Sequence, residues 1–107
     1  MDPEHECLSA LRSWAGRNGS IRELWLFGSR AQGRARPDSD VDLAVVLMPP
    51  DGKHDWAFGN YIALADGQWK PELEAIVGRH VSLEAVDPGS DEDAMVRRTG
   101  RRLWARN

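Results

Sequence analysis

Residues 40–48 read DVDLAVVLM, and no other run restricts the fold as much. Apart from Asp42 the stretch from Val41 to Met48 is apolar and rich in valine. That composition suits a strand covered on both faces, in the middle of a sheet rather than at its rim. Strands send alternate side chains to opposite faces. Asp40 and Asp42 therefore leave from one face, and Val41, Leu43 and Val45 from the other. At a rise of ~3.3 Å per residue, the two acids hold their Cβ atoms about 6–7 Å apart. Carboxylates that close repel, and paired acids on an apolar strand are costly without a partner. A cation between them removes both penalties. Hard oxygen ligands suit Mg²⁺, which keeps some water and fills its shell with carboxylates and substrate phosphates.

Ten residues separate this run from a second informative piece, Gly28-Ser29, which closes the expected strand over residues 21–27, IRELWLF. Gly28 permits close backbone approach. Ser29 can cap a short helix, and the amide groups that follow it favour a phosphate. Arg30 adds a side chain suited to phosphate oxygens. A phosphate cradle beside a carboxylate pair predicts a nucleoside triphosphate bound through its metal. The matching chemistry is in-line displacement at phosphorus, with metal ions neutralising the attacking and leaving oxygens. Taken singly, Asp-Val-Asp and Gly-Ser are common pieces. Only their combination is informative.

The rest of the chain supplies a frame. Cys7, Leu8, Leu11, Trp14 and Ala15 fall on one stripe and predict a helix over residues 4–17. Strands are expected over residues 21–27, 41–48 and 81–86. A short helix capped by Ser29 should end at Gly33, and a polar loop covers residues 34–39. Residues 55–77 read as mainly helical, with a break at Trp69-Lys70-Pro71 and a new helix over residues 71–77. Ser90 should cap a last helix, with Asp91, Glu92 and Asp93 in its first turn. Gly100 should interrupt that helix ahead of Leu103 and Trp104. Alternating strands and helices predict an α/β (α+β) domain with a small mixed sheet flanked by helices.

At 107 residues the chain is expected to be one domain. Its formal net charge of −3 argues against a non-specific nucleic-acid binder. No apolar run approaches the ~18 residues of a membrane helix, and Cys7 is the only cysteine. With an acidic start, these features predict a cytoplasmic protein. Arg97, Arg98, Arg101, Arg102 and Arg106 crowd one end of the sequence, as a solvated face or as a surface for an anion or a partner.

The segment FGSRAQGRARPDSDVDLAV resembles the signature of the DNA polymerase beta nucleotidyltransferase superfamily. More closely, it resembles the minimal nucleotidyltransferases of the MntA-like antitoxin group. That pattern is a hydrophobic residue, Gly-Ser, a variable loop, and Asp-hydrophobic-Asp. It is met at Phe27, Gly28, Ser29, Asp40, Val41 and Asp42. The resemblance implies a nucleotidyltransferase fold. It implies catalytic metals on Asp40 and Asp42, and a triphosphate on Gly28 and Ser29. It implies transfer of a nucleoside monophosphate, AMP from ATP, to a hydroxyl. In the antitoxin group that hydroxyl is a Tyr of a helical HEPN-type toxin, silenced by the transfer.

The family usually carries a third acid on the next strand, as general base and metal ligand. Here Ser82 stands at that place, within Val81-Ser82-Leu83, and Glu84 lies two residues on along the same face. Glu84 as the replacement and Glu84 as a surface residue both stay open. In the second case the chain is a degenerate module that binds nucleotide or partner without transfer. A chain of 107 residues is not expected to hold a separate acceptor domain, so the acceptor would come from a partner or from a second copy. His54 and His80 read as structural. Trp56, Tyr61 and Trp69 read as core sooner than as a partner-facing stripe. Arg34 and Arg36 are candidate phosphate or acceptor contacts.

Overall fold

The computed structural model describes residues 3–31, 33, 40–48 and 58–106, with the side chains of 3–6, 29, 30, 58 and 60 outside the description. Arg34, Arg36, His54 and Trp56, and the side chains of Ser29 and Arg30, therefore lie outside the described residues.

Helix α1 (Pro3–Arg17) leads into strand β1 (Ile21–Phe27), the single-turn helix α2 (Gly28–Ala31) and strand β2 (Val41–Leu47). Helix α3 (Phe58–Leu64), a π-helical turn (Ala65–Trp69) and helix α4 (Lys70–Val77) follow. Strand β3 (Val81–Val86), helix α5 (Asp91–Thr99) and strand β4 (Arg101–Ala105) complete the order. The sheet runs β3-β2-β1-β4. β1 pairs antiparallel with β2 and β4, whereas β2 pairs parallel with β3. The sheet is mixed, as expected, and β2 is an inner strand with every residue but Asp42 buried.

Both faces are covered, unequally. Leu24, Leu26, Leu43, Val45 and Val81 point into the main core, where α1 supplies Leu11 and Trp14 and the α3–α4 segment supplies Trp69 and Leu73. Trp14 and Trp69 meet edge to face with centroids 6.1 Å apart, a favoured aromatic geometry. Trp69 and Tyr61 thus belong to the core or its margin. The other face has a smaller cluster of Trp25, Ala44, Val46, Val86 and Val96, with Phe27 against it. Helix α5 closes this face. Its guanidinium Arg97 pairs with Glu23, which is only 5% exposed, and with Asp93 at 2.9 Å. Arg97 also lies 5.6 Å over the Trp25 ring. The hydrogen bond to Glu23 raises the Arg97 pKa against the cost of burial.

Two expectations are corrected. Pro71 does not break the helical path. The chain passes through the π turn straight into α4, with Pro71 in the first turn and the Lys70 amide bonded to the Ala65 carbonyl. Proline removes a donor and crowds the carbonyl four residues earlier. A wider turn at that place accommodates it without ending the helix. Residues 101–105 form a strand, not the tail of a helix. Gly100 is extended, and a Cβ there would stand 2.6 Å from the Val96 carbonyl oxygen and 2.9 Å from that of Leu26. The bare glycine lets the chain turn sharply off α5 and pair with β1. Ser90 caps α5 as expected, accepting from the Asp93 amide at 3.2 Å. No described helix is long and apolar enough to cross a membrane.

Candidate functional site

The ends of β1, β2 and β3 bring the motif halves together. Phe27 is the register partner of Asp42 on one side, and Ser82 on the other. Gly28 follows Phe27 at once, so it sits beside Asp42. Its φ of 72° lies in the left-handed region that only glycine enters freely. A Cβ built there would collide with the Asp42 carboxylate and stand 3.0 Å from its Cγ. Two independent constraints therefore require glycine at this position, and one of them is the acid itself. The sequence spacing of Gly28 and Asp42 becomes a physical contact through β1–β2 pairing.

Asp40 directly precedes β2, with its side chain 54% exposed. Its Oδ2 lies 3.4 Å from His80 Nδ1, and His80 Nε2 lies 3.9 Å from Glu74 Oε2. The same Glu74 oxygen accepts from the Val81 amide at 3.0 Å, and the His80 carbonyl accepts from the Val41 amide at 3.0 Å. Glu74 in the middle of α4 thus pins the start of β3, and the start of β3 is tied to the start of β2. His80 read as structural in the sequence. Its place beside Asp40 follows from the parallel register Val41↔Val81, which puts residues 40 and 80 side by side. A parallel pairing assumed between the two apolar strands would have found it.

Ser82 pairs with Asp42, whereas Glu84 pairs with Ala44. Ser82 occupies the position next to Asp42, and Glu84 stands one same-face step farther along the strand, exposed. Glu84 instead lines a hollow of about 200 Å³ with Phe27, Val86, Glu92, Met95 and Val96. Among the described residues no three acids, imidazoles or thiols gather to hold a metal. Asp40 and Asp42 fit a hard divalent ion as a pair of oxygen donors at one strand end, the rest of its shell falling to water and phosphate oxygens.

A description of the Polbeta family, "Polymerase beta, Nucleotidyltransferase", matches residues 10–94. The chain belongs to that family. The matched stretch holds Gly28, Asp40, Asp42, Ser82 and Glu84, so family membership places the chain among transferases. Solved structures share the family fold. A toxin–antitoxin crystallised with AMP-PNP superposes at a TM-score of 0.61 and 21% identity, over 95% of this chain and 73% of that one. A mutant of the MntA-HpeT toxin–antitoxin gives 0.59 at 21% identity, over 97% and 74%. A minimal nucleotidyltransferase gives 0.59 at 28% identity, over 94% of both chains. No curated protein matches the sequence.

Proposed function

We propose that residues 1–107 act as one Mg²⁺-dependent nucleotidyltransferase domain. It moves a nucleoside monophosphate, AMP from ATP, to a hydroxyl on a protein partner. The observation that carries this reading is the seating of the Asp42 carboxylate against Gly28. It joins a carboxylate pair to the glycine turn that precedes Ser29 and Arg30. Asp40 and Asp42 would hold the metal, and the Gly28-Ser29 turn with Arg30 the triphosphate. Mg²⁺ bound there would neutralise charge on the transferring phosphoryl group. Glu84 is the nearest described carboxylate along β3 from Ser82 that could take the acceptor proton, directly or through a water.

The partner reading draws on the toxin–antitoxin neighbours. The chain is an antitoxin, and the acceptor is a Tyr of a small helical HEPN-type toxin. The lone Cys7 and the acidic composition support a cytoplasmic setting. The test is incubation with labelled ATP, Mg²⁺ and the product of a neighbouring gene for a small helical protein. Label and a nucleotidyl mass gain on that protein are expected, both lost in Asp40→Ala/Asp42→Ala. Intact neutralisation of the partner by that double variant would sink the enzymatic reading.

One observation favours a second reading. Ser82, not a carboxylate, faces Asp42. On that reading the chain binds ATP with Mg²⁺ and restrains its partner by contact alone. Pyrophosphate release with the partner present separates the two.

A further inference from the structure

Ile62 at 44% and Met95 at 37% are the large apolar side chains left exposed among the described residues. Both border the same edge of the sheet. β3 is an edge strand. On its α5 side lies the hollow containing Met95. On its α3 side lies a second, of about 350 Å³, to which Ile62, Ala65 and Asp66 contribute. Glu84 and Glu92 line both, so the two hollows adjoin at these carboxylates, one on each side of the edge strand, and together offer one groove-like surface. Asp66, Glu84 and Glu92 make no ion pair among the described residues.

Three carboxylates beside the apolar side chains of Phe27, Val86, Met95 and Ile62 repel a triphosphate, so this surface is not an extension of the phosphate site. They complement a cation whose body is apolar. Lysine and arginine meet that description, laying methylene stems on apolar surface and holding the charge at its rim. We infer that this groove docks a basic, apolar-cored segment of the protein that carries the acceptor hydroxyl. The inference rests on the proposed transfer to a protein. Glu84 and Phe27 place the groove alongside the Asp42–Ser82 end of the sheet, so a docked segment delivers its hydroxyl there. A surface of this charge gives specificity and encounter rate, and its contribution falls with salt.

The experiment uses a synthetic Lys/Leu amphipathic peptide, with Glu/Leu and Lys/Ser peptides of equal length as comparisons. Each is titrated into isotope-labelled protein while amide resonances are followed. The Lys/Leu peptide should move amides of β3, α5 and the α3–α4 segment. Its affinity should fall about tenfold with Asp66→Lys/Glu92→Lys, and also with Ile62→Ser/Met95→Ser. Thermal melts report that the variants fold, and Mg²⁺-dependent ATP binding is measured in each. Retained ATP binding with lost peptide binding supports the groove. Lost ATP binding in the parent protein removes the proposed function and leaves the peptide result to decide the groove separately. Equal binding of all three peptides, or binding unaffected by both pairs of substitutions, overturns the inference. So does self-association through the Arg101 and Arg102 edge that the charge reversals abolish.

Discussion

Gly28 and Gly33 offer a controlled pair at the residue scale. Both have positive φ, at 72° and 73°. A Cβ on Gly33 meets nothing within 4 Å among the described residues, whereas one on Gly28 meets Asp42. Gly33→Ala should cost only the backbone strain, about 1 kcal/mol. Gly28→Ala should cost roughly 2 kcal/mol more, because Asp42 must move or the turn must open. Urea unfolding of the two variants measures the difference, and equal costs would mean that Asp42 does not rest on Gly28. Ser82 offers a second test. Ser82→Asp places a carboxylate in register with Asp42, and like charges at that separation are unfavourable. The melting temperature should drop without metal and recover with Mg²⁺. Gly28, Asp40 and Asp42 stood out in the sequence only as a combination, since each piece alone is common, and the contact between Gly28 and Asp42 needed the β1–β2 register. His80 did not stand out, because a lone histidine before a strand has many explanations, and only the parallel register ties it to Asp40.

At the scale of elements, α5 is held to the sheet by a buried charge. Arg97→Met leaves Glu23, among the described residues, with the Trp25 Nε1 donor 3.2 Å away. The expected loss is about 2 kcal/mol, discounted for the partial exposure of Arg97. Glu23→Gln added to Arg97→Met should restore part of it, which urea denaturation of the three variants would check. No restoration would mean that the pair does not act as a unit. Gly100→Ala should also destabilise, by roughly 1–3 kcal/mol, because its Cβ would crowd the Val96 and Leu26 carbonyls. Helix α5 was readable from its Ser90 cap and acidic first turn. β4 was not, because a five-residue strand of Arg, Leu, Trp and Ala carries little period-two signal. It exists through pairing with β1 and the close approach at Gly100, both of which are tertiary facts.

The whole molecule covers the two faces of its sheet unequally. One face is filled by α1 and the α3–α4 segment. On the other, α5 closes over Ala44, Val46 and Val86, while the Asp42 and Ser82 end lies beyond that cluster. The mixed sheet was legible from the order of apolar runs and turns, and β2's inner position from its lack of polar alternation. The strand order, and hence which residues face Asp42, was not, because one strand was unseen and register comes from pairing. If the strand ends form a metal–triphosphate site, Asp40 and Asp42 must act through the metal and not through the fold. The most direct measurement is calorimetric titration of ATP into the parent protein and into Asp40→Asn/Asp42→Asn, each with and without Mg²⁺. The prediction is binding that requires Mg²⁺ in the parent protein and is lost in the double variant, whose melting temperature is preserved. Equal ATP affinity in the two proteins, or affinity indifferent to Mg²⁺, would contradict it.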